Sequence, residues 1–114
     1  MLKYLQETPF ALTICDKDGK ILEMNDHSVQ VNCKDGKPII GNNLLDCHPE
    51  PAKSMLESML TNHNINAYTI EKNGVKKMIY QSPWYKNGEF AGYLELSMEI
   101  PFEMPHYIRK PKAQ

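Results

Sequence analysis

The sequence has no apolar run of the length that a membrane helix needs. Its longest apolar stretches, such as Phe10 to Cys15 and Met55 to Leu60, are short and interrupted, whereas a spanning helix takes about 20 apolar residues. No signal-peptide pattern opens the chain. Net charge is also small, because 13 basic residues offset 14 acidic ones to leave −1. We therefore expect neither nucleic acid nor a membrane as a partner.

Cysteine is scarce and has no paired spacing. Cys15, Cys33 and Cys47 contain no CxxC pair among them. An odd count without a secretory leader favours reduced thiols in the cytosol over a disulfide framework. Paired zinc-ligand spacing is missing as well. The 114 residues therefore predict one globular cytoplasmic domain without a structural metal.

Turn sequences are the clearest local signals. Asp16-Lys17-Asp18-Gly19, Asn73-Gly74 and Asn87-Gly88 supply residues that tolerate positive φ, and alternating apolar and polar residues flank each turn. They predict a first hairpin and, near the C-terminus, a meander of three strands. The predicted strands cover residues 10–16, 20–25, 65–72, 76–86 and 89–100.

Between the two strand groups the hydrophobic spacing becomes that of a helix. Apolar residues recur at helical intervals, which predicts a helix over residues 50–61. Upstream, Asn25 is expected to cap a short helix that runs to Asn32. This order of elements predicts an α+β domain with a five-stranded antiparallel sheet and the long helix on one face.

Three stretches of the sequence, in this order, resemble the PAS sensor domain. The family's first hairpin, with its D-x-D-G turn and closing Asn, is similar to Pro9 to Asn25. The stretch that leads into its long helix is similar to Gly41 to Glu50, which reads GNNLLDCHPE. Its last strand is similar to Asn87 to Ile100. The chain then divides into an N-terminal segment (1–8), a PAS-like domain (9–100) and a Pro-rich tail (101–114).

The resemblance implies a sensory or signalling module whose sheet has the order 2-1-5-4-3, with helices on one face enclosing a small pocket. PAS members bind haem, flavins, organic acids, fatty acids or no identified ligand. We expect a module that binds a small apolar or weakly polar ligand or a partner. The alternative is a ligand-free dimerisation domain. Family members commonly continue into a signalling helix, whereas Ile100 meets Pro101 here, so we expect the signal to pass by association with a signalling protein.

Methionine is the most distinctive residue type, with seven copies. Thioethers can line a pocket that adapts to an apolar ligand, although filling of a small irregular core is the simpler interpretation. If a pocket exists, we expect the strand face that bears Tyr80 and Ser82 to orient a carboxylate or carbonyl group in it. The predicted pocket residues are Met55, Met59, Met78, Tyr80, Ser82, Leu94 and Leu96.

No enzyme and no cofactor are predicted, and haem is kept as a minor alternative. His48 precedes the long helix, and imidazole is a common axial ligand of haem iron. The resemblance, however, implies a haem ligand within that helix, where this chain has no histidine. Cys33 leads into loop residues, which disfavours a flavin adduct. Cys47 and His48 have no third residue to orient them for thiol catalysis.

The second face of the sheet is expected to meet a partner. Tyr85 and Tyr93 are predicted to lie on it, with Leu2 and Leu5 nearby on one helical turn. Aromatic residues are enriched at interfaces, and symmetric pairs are the commonest soluble oligomers. We therefore predict a homodimer through these four residues. In the alternative, the N-terminal segment folds back and covers the same face within one chain.

Overall fold

The computed structural model describes residues 3–33 and 35–112. A short 3-10 helix, Lys3–Leu5, precedes the regular elements. The strands are β1 (Ala11–Asp16), β2 (Ile21–Met24), β3 (Asn66–Lys72), β4 (Val75–Lys86) and β5 (Glu89–Ile100). The α-helices are α1 (Asp26–Asn32), α2 (Leu44–Cys47) and α3 (Ala52–Asn62). None of the helices in these two ranges is long and apolar enough to cross a membrane.

The five strands form one sheet in the order β2-β1-β5-β4-β3. Every pairing is antiparallel. The two tight turns of the meander begin at Asn73 and Asn87, whose φ angles of 53° and 52° lie in the left-handed region, and glycine follows each as this turn geometry requires. The α+β class, the antiparallel sheet and its strand order are confirmed.

Asn25 connects three parts of the fold through one fully buried side chain. Its oxygen accepts from the backbone N–H of Ser28 at 3.0 Å, which caps α1, and from the backbone N–H of Leu12 at 2.9 Å. Its amide nitrogen donates to the carbonyl oxygens of Leu5 and Phe10. The predicted cap is confirmed, and the same side chain also holds the N-terminal turn against β1.

Cross-strand pairing divides the sheet into two faces, because directly paired residues project to the same side. Thr13 pairs with Glu95, and Glu95 pairs with Gln81. The hydroxyl of Thr13 is hydrogen-bonded to that of Ser28 in α1, so this side is the helix face. The opposite side, the outer face, carries Leu12, Ile14, Met78, Tyr80, Ser82, Trp84, Leu94, Leu96 and Met98.

A small apolar core lies beside the edge strand β2. Ile21, Met24 and Cys33 are buried together, and partly buried Ile39 and Leu44 pack against them. This cluster fastens the segment between α1 and α2 to the sheet. The tail behaves differently, since residues 101–112 contain no helix or strand and are exposed.

Strand β4 extends past its neighbour β3. Pairing of β3 stops where Asn66 meets Gln81, so residues 82–86 of β4 pair with β5 alone. Pro83 lies in this stretch, and the register shifts between Trp84 and Tyr85. Among the residues that the structure describes, none pairs with the other edge of β4 over its last five residues.

Candidate functional site

A cavity of about 660 Å³ lies between the helix face of the sheet and helices α2 and α3. This volume is typical of small-molecule sites, which hold about 300–1,000 Å³. Met55 lines the cavity although its side chain is 65% exposed. The cavity is therefore open to solvent beside α3.

The wall formed by α3 is apolar. Ala52, Met55, Leu56 and Met59 line the cavity, and their spacing of three and four residues places them on one side of the helix. Ile21, Met24, Ile39 and Leu44 line it from the core beside β2. The apolar side of α3 thus borders a cavity and is not packed against a dense core.

The floor of the cavity carries a line of polar residues that we call the polar row: Thr13, Glu95, Gln81 and Asn66. They lie side by side across β1, β5, β4 and β3. The Gln81 amide nitrogen donates to the Glu95 carboxylate at 2.7 Å, and the Asn66 amide nitrogen donates to the Gln81 oxygen at 3.4 Å. Within the described lining, Glu95 is the only residue of the Asp, Glu, Lys and Arg types.

Two tyrosines border the polar row. The hydroxyl of Tyr93 donates to the carbonyl oxygen of Asn64 at 2.7 Å. Burial raises the pKa of Tyr93, and the nearby Tyr85 and Cys15 add to that rise. Burial also raises the pKa of Tyr68, and the negative charge of Glu95 contributes to the same shift. Both phenols therefore stay protonated at neutral pH.

Cys15 and His48 lie on the same lining. Burial raises the pKa of the Cys15 thiol, which outweighs the lowering by its hydrogen bond to the Tyr93 backbone. The thiol therefore stays protonated at neutral pH. The His48 Nδ1 atom lies 2.7 Å from the carbonyl oxygen of Leu44. Because a carbonyl only accepts, Nδ1 must carry the hydrogen, and Nε2 of the neutral ring is then an acceptor.

The structure brings only some of the predicted pocket residues together. Met55 and Met59 border the cavity, as does His48. Leu94 also belongs to the lining, although its pairing with Ile14 and Ser82 places its side chain on the outer face. The prediction that Met78, Tyr80, Ser82 and Leu96 face the long helix is wrong, because pairing places them on the outer face. Alternation shows which residues share a face of a strand but not which face the helices cover.

The predicted dimer contacts are also placed differently. Tyr93 is buried on the cavity side, so its assignment to the second face is wrong. Tyr85 pairs with Phe90, whose ring stacks on His63 at a centroid distance of 3.6 Å, and it therefore belongs to the helix face as well. Leu5 is half-buried in the 3-10 helix, and Leu2 lies outside the described residues.

The polar row was not predicted from the sequence. Its members stand at alternate positions of four strands, and this pattern alone also fits a solvated face. The signal that distinguishes the two cases is a tertiary one: α1 and α3 cover this side of the sheet. Over residues 3–33 and 35–112, no group of three or more His, Cys, Asp or Glu side chains could hold a metal ion.

No protein-family model and no curated protein sequence matches the chain. Several solved structures, however, are similar to the chain. A C-terminal domain from Streptococcus mutans has a TM-score of 0.69 at 17% identity, over 84% of this chain and 79% of that one. A sensory box sensor histidine kinase from Vibrio cholerae has a TM-score of 0.63 at 18% identity, over 85% of this chain and 86% of that one.

The PAS domain of BvgS from Bordetella pertussis is similar to the same extent. Its TM-score is 0.63 at 19% identity, and the match covers 86% of this chain and 82% of that one. At such identities the likeness concerns the fold. The chain has a PAS-like fold, as the three sequence stretches indicated.

Proposed function

We propose that the chain is a PAS-type sensory or signalling module that binds a small ligand in the cavity beside α3 and passes the signal on by protein association. The cavity is the observation that carries this proposal. It combines an apolar wall from α3 with a few polar groups on its floor. Apolar surface supplies most of the affinity of small-molecule sites, and a few placed polar groups fix orientation.

The outer face supports the association step. Leu12, Leu96 and Tyr80 lie next to one another across β1, β5 and β4, so the middle of this face is apolar. A homodimer through it would replace the contact predicted for Tyr85 and Tyr93. A stable interface needs about 1,000 Å² or more of buried surface, so this contact would have to extend along most of β4 and β5.

A ligand-free dimerisation domain is the second candidate. It would use the same outer face, and the cavity beside α3 would be a packing gap between helix and sheet. Retention of a small molecule in that cavity distinguishes the two candidates, because only the sensory module requires it.

We further propose that the module is not an enzyme and binds no haem. The Cys15 thiol stays protonated at neutral pH because of its raised pKa, which does not suit a nucleophile. The free Nε2 of His48 favours haem, because it is an available axial ligand. The rest of the lining does not fit, since haem propionates are anionic and the described lining offers a glutamate and no lysine or arginine.

Native mass spectrometry of the protein purified without added cofactor tests ligand binding. We expect a bound small molecule that is lost in Met59→Trp, because the indole fills the cavity. Met78→Trp is the matched control, since Met78 lies on the outer face, and it should keep the molecule. Retention in Met59→Trp, or no small molecule in the wild type together with no thermal shift from any compound of a metabolite library, would contradict the proposal.

A further inference from the structure

We infer that the ligand is a small organic cation, an amine with an apolar body, whose ammonium group is bound by Glu95. This inference rests on the proposed ligand-binding function and specifies its chemistry. Its first support is charge. Glu95 lies in the polar row on the floor of the cavity, and the described lining contains no lysine or arginine to balance it. A ligand with a positive charge provides that balance.

The position of the Glu95 carboxylate is defined by its neighbours. Gln81 donates to it at 2.7 Å, and Asn66 in turn donates to Gln81. A chain of hydrogen bonds across three strands therefore holds the carboxylate at one place on the floor. A positioned carboxylate loses little freedom when it binds an ammonium group, which favours affinity.

Other groups on the cavity lining also suit a donor-rich ligand. His48 offers Nε2 as an acceptor, because Nδ1 donates to the Leu44 carbonyl oxygen. The hydroxyl of Tyr93 is already used as a donor toward Asn64. The rings of Tyr68 and Tyr93 line the same cavity, and aromatic faces attract cations.

An organic acid fits this floor poorly, although organic acids are among the ligands that the PAS resemblance implies. Its carboxylate would meet the like charge of Glu95, and like charges at short range repel more strongly where water is partly excluded. The apolar wall of Leu56 and Met59, by contrast, accepts the hydrocarbon part of an amine, an alcohol or an acid equally well. The head group is therefore the feature that selects the ligand.

Three probes of nearly equal size separate these cases: 2-phenylethylamine, 2-phenylethanol and phenylacetate. Binding of each to the full chain is measured by isothermal titration calorimetry and by chemical-shift changes in the polar row. We expect the amine to bind at least about tenfold more tightly than the alcohol, since the ammonium group adds an opposite charge to the hydrogen bond that either head group can donate to Glu95. The acid should bind more weakly than the alcohol.

Glu95→Gln keeps the shape of the side chain and removes its charge. We expect it to weaken binding of the amine by about tenfold or more and to weaken binding of the alcohol less, because the alcohol loses no ion pair. Glu99→Gln is the matched control, because Glu99 lies on the same strand, projects to the same side and does not line the cavity. It should bind all three probes as the wild type does.

The outcomes separate the cation inference from the ligand-binding function on which it rests. Equal or tighter binding of the acid or the alcohol, or full affinity for the amine in Glu95→Gln, overturns the cation inference and leaves the ligand-binding function in place. If none of the three probes binds, the cation inference falls, and the mass spectrometry and library measurements described above decide whether the ligand-binding function stands.

Discussion

The indole nitrogen of Trp84 donates a hydrogen bond to the carbonyl oxygen of Cys15 at 2.9 Å. The bond passes over β5 at Gly92, which pairs with Trp84 on one side and with Asp16 on the other. A Cβ atom at Gly92 would overlap the Cys15 carbonyl oxygen and lie 2.7 Å from the indole nitrogen. Glycine is therefore required at position 92 so that the Trp84 side chain can reach across β5 to β1.

Gly92→Ala should destabilise the protein more than Gly88→Ala. Gly88 has a φ of +81° with no atom near a built Cβ, so alanine there meets backbone strain alone. At Gly92 the methyl group also displaces Trp84, and we expect an additional loss of about 2 kcal/mol from overpacking and the broken hydrogen bond. Urea unfolding followed by fluorescence of the single tryptophan measures both variants. Equal losses would contradict the role assigned to Gly92.

Asn25→Ala should be among the most destabilising changes of a polar residue. It removes the cap of α1 and leaves the carbonyl oxygens of Leu5 and Phe10 without their buried donor. We expect a loss of about 2–4 kcal/mol in the free energy of unfolding. Asn62→Ala, at an exposed helix end where the amide contacts Ser58, should change it by less than about 0.5 kcal/mol. A small effect at Asn25 would show that water replaces its partners.

Stability should fall in alkaline solution, partly through Tyr93. Burial raises its pKa above the ordinary value of 10.0, so the folded state keeps the phenolic proton at pH values where the unfolded chain loses it. The stabilisation that this raised pKa contributes is complete below the ordinary pKa and is lost as the pH rises through the pKa of the folded state. Denaturant titrations between neutral and strongly alkaline pH should therefore show a shallower decline in Tyr93→Phe than in the wild type. Parallel curves would show that Tyr93 does not contribute to the loss of stability at alkaline pH.

Tyr80→Lys should convert the proposed homodimer into a monomer. The lysine places a charge in the apolar middle of the outer face, opposite Leu96. Ile70→Lys is the control, because Ile70 pairs with Lys77 on the helix side and is 40% exposed. Light scattering gives the mass of each variant. The same mass for Tyr80→Lys and the wild type would exclude this face as the contact.

Point variants test the dimer better than removal of residues 1–7. The carbonyl oxygen of Leu5 accepts from Asn25, and that of Gln6 accepts from the backbone N–H of Asp26. Truncation would remove both acceptors and weaken the start of α1. A change of mass in the truncated chain would then mix loss of contact with loss of fold.

The fold could be predicted because its main signals are local. Asn73-Gly74 and Asn87-Gly88 each specify a tight turn, and a tight turn fixes which strands pair and in what register. Asn25 signals a helix start for an equally local reason, since its side chain reaches the backbone N–H of Ser28 three residues on. Neither signal depends on the distant parts of the chain.

The family resemblance implied a pocket, but most of its lining could not be predicted from the sequence because it depends on tertiary contacts. The spacing of Met55, Leu56 and Met59 is the same whether the helix packs against a dense core or borders a space. Glu95 alternates with Leu94 and Leu96 in β5, and alternation is equally consistent with either orientation of the strand. The polar side of β5 resembled a solvated face, and the assignment of Tyr93 was wrong for the same reason.

The unpaired edge of β4 beyond β3 has a consequence for how copies of this chain can associate. Free backbone groups along a strand edge invite further strands to add, which leads to open-ended aggregation. Pro83 has no N–H to offer a new neighbour, and its ring obstructs a continuous ladder. Growth by strand addition is thereby discouraged along this edge. The proposed homodimer would instead use the outer face, where two copies can close on each other and stop.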